Sequence, residues 1–346
     1  MGIIIERVCY AVESLREVFS IQKHYDSYYP ELPHKNAAQK LLELMHWFLK
    51  YGEANKNYYL YGFDISAPER NAEQYMDLRK FNAMLKKSNL NGKNESQVVI
   101  LRDKYLFYRY MQSLHIPVPE VFAVYMRGKL FDNELNPLPE EMLKGKKDYF
   151  IKAIGGQCGI GVSHILDYND CCRVIQKNKN QDFILQNKVI QHPELDRMNP
   201  GAVNTIRIVT VLKEGKPTVF SSFLRIGTVL SRERDNTSQG GIAVGIEQDG
   251  TLMMYGVRKP EFGGMIDHHP DTNVVFAGFK IPHYQEALKT ACLAHEKLYR
   301  IRSVGWDIAI TEDGCAIIEG NDNWELQTIQ GIYGGMRDKC DKLLAV

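Results

Sequence analysis

Apolar positions in the first 95 residues recur at helical spacing. Val8, Val12, Leu15 and the Val18–Phe19 pair predict a helix from Glu6 to Ser20. A second is predicted from Asn36 to Tyr51, with Leu41, Leu42, Met45, Phe48 and Leu49 on one stripe, Asn36 as its N-cap and Gly52 just past its end. A third runs from Pro68 to Leu90, where Asn91-Gly92 breaks the pattern. Tyr58 to Asp64 is aromatic and loop-like, and no strand-period segment of any length appears before residue 95. Residues 1–95 read as a helical N-terminal region.

From residue 98 the texture changes. Val98–Leu101 predicts a short strand, and Asp103 to His115 a helix ended by Pro117 and Pro119. Further strands are predicted at Val121–Tyr125, Tyr149–Ile154, Phe183–Val189, Thr205–Leu212, Thr218–Arg225, Gly305–Thr311 and Cys315–Glu319, with helices near 167–178 and 283–301. Clustered strands with interspersed helices imply an α+β fold of mostly antiparallel sheets.

Composition narrows the class. The chain has 346 residues, 44% hydrophobic and 25% charged, enough for about two domains with real cores. The formal net charge is +1, so bulk charge does not suggest a nucleic-acid partner, and no apolar run is long enough to span a membrane. The seven cysteines are odd in number and form no CxxC pair, which fits reduced thiols in the cytoplasm rather than a disulfide framework or zinc site.

The sharpest chemical signal is VGWDIAITEDGCAIIEGNDNW, Val304 to Trp324. A three-residue turn, Glu312-Asp313-Gly314, sets Thr311 opposite Cys315 and Asp307 opposite Glu319, with Asn321 on the same face. Ile308, Ile310, Ala316 and Ile318 fill the other face. Opposed carboxylates repel unless a cation or proton lies between them, and two carboxylates with an amide oxygen are hard donors suited to Mg²⁺. A hairpin with a polar outer face is the plainer reading.

A second signal is YFIKAIGGQCGIGV, where a strand bearing Lys152 enters a loop with Gly155, Gly156, Gly159 and Gly161. Such a loop lets backbone N–H groups approach phosphate oxygens, although the string is neither a Walker A nor a dinucleotide fingerprint. The competing reading is a hairpin tip after a strand with a solvated lysine. DFILQNKVIQHPEL places a strand end, Gln186 to Val189, before a loop with His192, Pro193 and Glu194. Arg207 and Arg225 sit in apolar strand runs, where each needs a carboxylate or phosphate partner. MIDHHPDTNVVF packs Asp267, His268, His269 and Asp271 together, but adjacent histidines rarely point at one ion, which disfavours a metal site. Trp306 and Trp324 read as core or pocket wall.

In this order, the strand lysine, Gly-rich loop, hinge strand, paired arginines, GG turn and late D…E-x-N hairpin resemble the ATP-grasp superfamily over residues 98 to 335. The strings VNTIRIVT, GGIAVGI, HPDT, VGWDIAIT and IEGNDNW resemble, more narrowly, the sugar-transfer-associated ATP-grasp family. The resemblance implies two α+β subdomains gripping ATP between antiparallel sheets over residues 96–346, with a lid at about 120–190 and a catalytic part at about 191–346. It implies nucleotide contacts from Lys104, Lys152, Gly156, Gly159, Gly161, Gln186, Asn187, Val189 and Glu194, with Gly240 and Gly241 bordering the site. The backbones of Asn187 and Val189 would read the adenine edge. Asp307, Glu319 and Asn321 would hold Mg²⁺, and Arg207 and Arg225 would steady the transferring phosphoryl group. The implied reaction joins a small-molecule carboxylate, sugar-linked in this family's setting, to an amine through an acyl phosphate. A kinase acting on a hydroxyl, or a non-catalytic nucleotide-binding partner of a glycosyltransferase system, are the alternatives. The helical 1–95 region departs from the α/β domain that opens many superfamily members.

Overall fold

A computed structural model describes residues 13–14, 16–21, 27–66, 70–90, 95–155, 161–231, 235 and 237–344. Along the chain come helices α1 (Ala37–Tyr51), α2 (Leu78–Asn89), α3 (Glu95–Arg102) and α4 (Lys104–Ser113), then strands β1 (Val121–Met126), β2 (Lys129–Phe131), β3 (Tyr149–Ala153) and β4 (Val162–Ile165). There follow α5 (Tyr168–Lys177), β5 (Phe183–Asn187), α6 (Pro193–Met198), β6 (Thr205–Lys213) and β7 (Lys216–Ile226). The rest comprises β8 (Ile242–Ile246), β9 (Leu252–Val257), β10 (Met265–Ile266), α7 (Tyr284–Lys297), β11 (Ser303–Thr311), β12 (Gly314–Asn321), α8 (Gln327–Tyr333) and α9 (Arg337–Leu344). The α+β class with antiparallel sheets follows from this order.

The chain folds into two compact units, each discontinuous in sequence. The first comprises Met1–Ser88, Phe223–Lys280 and Glu325–Val346; the second comprises Asn89–Ser222 and Ile281–Trp324.

In the first unit, α1 begins and ends as its sequence requires. Asn36 Oδ1 accepts the Gln39 N–H while Gln39 Oε1 accepts the Asn36 N–H, a reciprocal cap. Gly52 closes the helix at φ 74°, donating its N–H to Phe48 O. The expected apolar stripe is shifted. Leu44 and Trp47 are the buried positions, whereas Leu42 and Leu49 are 69% and 76% exposed. Trp47 wins the inner face because its ring packs against Phe63, from the buried aromatic run at 58–63. The start of the third predicted helix falls partly on residues outside the description, and α2 itself begins only at Leu78. Of the first predicted helix, residues through 12 likewise lie outside the description; 16–21 are helical. Strands β8, β9 and β10 extend from the end of β7 in the order β7–β8–β9–β10. Their sequence pattern hides them, since Ile242–Ile246 is buried at every position and shows no alternation. Gln330, fully buried on α8, fastens the helical segment to this unit, donating to Tyr61 OH and Met76 O and accepting from Met76 N.

In the second unit a five-stranded antiparallel sheet has the order β2–β1–β5–β3–β4. One face packs Tyr149, Ile151, Phe183 and Leu185 with Cys171 of α5; the other packs Val121, Val124 and Ile184 with Tyr108 of α4. The same unit holds the order β7–β6–β11–β12, backed by α7 through fully buried Ala287, Ala291 and Ala294. Two expectations change here. Val98–Leu101 lies within helix α3, because a four-residue apolar run carries no period that separates helix from strand. His192-Pro193-Glu194 opens α6 with Pro193 in its first turn, the one helical place where a missing N–H costs nothing.

Candidate functional site

Three adjacent strands place three charges in one row. Arg207 on β6 is the register partner of Asp307 on β11, and Asp307 is the partner of Glu319 on β12. The opposition of Asp307 and Glu319 is as the sequence predicts, but the route differs. The turn has Glu312 and Asp313 at its tip, Thr311 faces Gly314, and the positive φ (144°) falls on Gly314. The register is therefore one residue off the expected one through Ile308↔Ile317, and a β-bulge beside Asp307 takes up Ile318 and restores the carboxylate pair. As a result Ile317, not Ile318, joins Ile308 and Ile310 in the core, and Ile318 is only half-buried.

Arg207 Nε and Nη2 donate to the two oxygens of Asp307 at 2.5 and 3.0 Å; the side chains are 13% and 5% exposed. Asn321 Nδ2 donates to Glu319 Oε1 at 3.3 Å. Burial, and then the Asp307 charge, push the Glu319 carboxyl above the ordinary carboxylate range, against the pull of Lys104 and Arg207. Lys152 lies in the same field: burial lowers its ammonium to about 8, Glu319 opposes the shift and Lys104 adds to it. The two lysines arrive by separate routes. Lys152 is on β3, paired with Ile184 and Val162, while Lys104 opens α4 behind its N-cap Asp103 and donates its backbone N–H to Ile154 O.

The Gly-rich loop joins β3 to β4. Gly156 and Gly159 lie outside the described residues; Gly161 takes φ 76° and closes the loop's base by accepting the Ala153 N–H at 2.9 Å. A Cβ there would come within 2.7 Å of the Ala153 Cβ. On β5, Gln186 is buried with Nε2 donating to Pro119 O. Asn187 is doubly engaged by Glu120: its N–H donates to the carbonyl at 2.9 Å and Nδ2 to the carboxylate at 2.6 Å. Val189 follows, half-buried, in irregular chain, and Glu194 pairs with Arg197 on α6. His192 ties this segment to β11 by donating its N–H to Ile310 O.

Arg225, Gly240 and Gly241 belong to the first unit. Arg225 pairs with Asp235 at 2.7 Å, both 12% exposed. Gly240 takes φ 95°, and its carbonyl accepts from Thr228 Oγ1. The adjacent histidines diverge: His268 pairs with Asp267, while fully buried His269 reaches Gly227 O. Among the described residues, no group of three or more His, Cys, Asp and Glu could hold a metal ion. The row Asp307–Glu319–Asn321 has two carboxylates and an amide.

Sequence reasoning missed Asp322 and Arg102. Arg102 forks onto Asp322, one residue past Asn321, at 3.1 and 2.6 Å. Their charges were visible beside Asn321 and Lys104, but a pairing across 220 residues leaves no local signal. No helix among the described residues is long and apolar enough to cross a membrane.

No curated protein matches the sequence. Similar solved structures include an L-amino acid ligase from Bacillus licheniformis (12% identity, TM-score 0.43, covering 71% of this chain and 48% of that one). A D-alanine–D-alanine ligase from Bacillus anthracis has 10% identity and TM-score 0.40, over 71% of this chain and 67% of that one. An N5-carboxyaminoimidazole synthase from Aspergillus clavatus, in complex with ADP and 5-aminoimidazole ribonucleotide, has 9% identity and TM-score 0.40, over 67% and 47%. The chain spans about half the length of the first and last of these. The model of one family, described as sugar-transfer associated ATP-grasp, matches residues 82–337, which includes Lys104, Lys152 and the whole Arg207–Asp307–Glu319 row. The chain belongs to the sugar-transfer associated ATP-grasp family.

Proposed function

We propose that the protein is an ATP- and Mg²⁺-dependent ligase that joins a sugar-linked carboxylate to an amine. The γ-phosphoryl group passes to the carboxylate, breaking its bond to ADP. The amine nitrogen then attacks the acyl carbon, and phosphate and a proton leave. The observation that carries this reading is the row Arg207–Asp307–Glu319 across three adjacent strands, with Lys152 and Lys104 acting on Glu319.

The donor set suits a hard divalent cation: two carboxylates and the Asn321 amide, one carboxyl held above its ordinary range by burial and then by its neighbour's charge. Bound there, Mg²⁺ would neutralise charge on the phosphate oxygens. Asp307, Glu319 and Asn321 are the residues that would hold it. Arg207 grips both oxygens of Asp307, so its role is to orient the carboxylate as well as to balance charge. Lys152 and Lys104 are placed for the anionic nucleotide. An approaching phosphate favours the ammonium form of Lys152 and reverses the effect of its burial. Because Asn187 already gives its N–H to Glu120, reading of the base edge falls to the backbone around Val189. No nucleophilic side chain is required; the work is positional and electrostatic.

A ³¹P NMR time course with ATP, Mg²⁺ and pooled amino acids and uronic acids tests the reading. ADP with stoichiometric free phosphate, appearing only when acid and amine are both present, is expected. A new phosphoester with no free phosphate would replace the ligase by a kinase.

A further inference from the structure

The corner between α3 and α4 delivers two charges to the end of β12. Arg102, the last residue of α3, donates Nε and Nη2 to the two oxygens of Asp322, whose side chain is 7% exposed. Two residues on, Lys104 opens α4 and acts on Glu319. Leu101 seats against Gly320, where a Cβ would come within 2.8 Å of its Cδ2, so α3 lies directly on the strand that carries Glu319 and Asn321. Asn89 locks the same stretch: Nδ2 donates to Asp322 O and Ser303 O at 2.8 and 3.0 Å, and Oδ1 accepts the Ser303 N–H at 3.0 Å. Trp324 Nε1 adds a bond to Ser303 Oγ.

Asn321 thus stands on β12 between the bulge at Ile318 and the clamped Asp322. Past the bulge at Ile318, β12 stays in register with β11 as far as Gly305↔Asn321, where the ladder ends, and Asp322 lies one residue beyond it. Beyond that last pair the Asn89 amide holds the Asp322 carbonyl, and the planar guanidinium fork of Arg102 holds both oxygens of its carboxylate at once. We infer that Arg102 is a positioning residue: its fork on Asp322 sets the Asn321 amide against Glu319. This rests on the reading of Asp307, Glu319 and Asn321 as the cation's ligands.

The test is Mn²⁺ affinity of the full chain with AMP-PNP, read by water-proton relaxation, beside thermal unfolding of each variant. Arg102→Met is expected to weaken Mn²⁺ binding about tenfold, the usual scale for removing a group that orients a metal ligand. Arg102→Lys, which restores the charge without the fork, recovers part of that loss. Glu319→Gln abolishes the enhancement. Should Arg102→Met be unfolded at the assay temperature, Arg102→Lys and Asp322→Asn carry the same comparison. Wild-type Mn²⁺ affinity in folded Arg102→Met, with Glu319→Gln inactive in binding, would overturn the positioning role alone. Undiminished binding by Glu319→Gln, or none by the wild type, would overturn the ligand assignment and this inference with it.

Discussion

Arg207 and Asp307 face each other across the β6–β11 ladder and close a two-pronged ion pair, with Glu319 the next residue in the row. The arrangement explains how two carboxylates can be neighbours in the fold. One is gripped by arginine; the other, buried beside that acid, holds its proton more tightly.

Removing Arg207 leaves Asp307 5% exposed and uncompensated beside a second acid. Arg207→Met should lower stability by about 3–5 kcal/mol, the scale for breaking a buried pair from one side. Replacing both residues, as Arg207→Met with Asp307→Leu, should recover most of that loss while activity stays absent. Urea unfolding of the single and double variants checks it.

Glu319 and Lys152 give opposite pH signatures. The Glu319 carboxyl is raised, so the folded state binds more protons than the unfolded one above the ordinary value of 4.5; that stabilisation is present below 4.5 and lost as pH rises through the folded value. Glu319→Gln should therefore gain stability relative to the wild type as pH rises across this window. Lys152 is depressed from 10.5 to about 8, so its stabilising share is present above 10.5 and lost as pH falls through 8. Urea midpoints from pH 4 to 10 would show both slopes.

The same lysine predicts a kinetic limb. If the ammonium form greets the nucleotide, kcat/KM for ATP falls above pH about 8 in the wild type. Lys152→Arg, always charged, should flatten that limb even where its maximum is lower. An unchanged alkaline limb in Lys152→Arg would remove Lys152 from the role.

A buried chain of three polar groups supports β6 and β11 from behind. Fully buried His295 donates Nε2–H to Ile301 O, which leaves Nδ1 to accept from Thr210; the Thr210 hydroxyl in turn accepts from Trp306 Nε1. Burial lowers His295 to about 4, so it stays neutral and its contribution is lost as pH falls from 6.5 through 4. Thr210→Val strands two buried groups and should cost about 2 kcal/mol, within the range for leaving such partners unsatisfied. Chemical denaturation at pH 7 measures it.

At Gly161 the φ of 76° and the 2.7 Å approach to Ala153 both oppose a side chain. Gly161→Ala should cost about 1–3 kcal/mol of local strain. Because the strain falls at the base of the Gly-rich loop, KM for ATP should rise more than the unfolding midpoint falls. A KM equal to that of the wild type would separate the loop from nucleotide binding.

Much of this protein is legible locally. Alternating apolar residues flanking a turn of Glu, Asp and Gly mark the β11–β12 hairpin, and Asn36 and Gly52 mark the ends of α1. Lys152 before a run of glycines announces a strand entering a loop. These readings succeed because side-chain period, capping and turn chemistry act over a few residues. Tertiary structure decided the rest. Which face of α1 is buried depended on where Trp47 met Phe63, so Leu42 and Leu49 were left outside. Whether Val98–Leu101 coiled or extended depended on the surface beneath it, and Gly320 supplied one for a helix. The turn moved the core position to Ile317, and the bulge at Ile318 restored the acid pair that the turn alone would have displaced by one residue, an adjustment invisible to any pattern of period two. The partners of the decisive charges, Arg207 to Asp307 and Arg102 to Asp322, lie 100 and 220 residues apart. The chain's chemistry was written in its residues, but the pairing of its charges belongs to the fold, because Coulombic and hydrogen-bond energy depends on distance in space and not along the sequence.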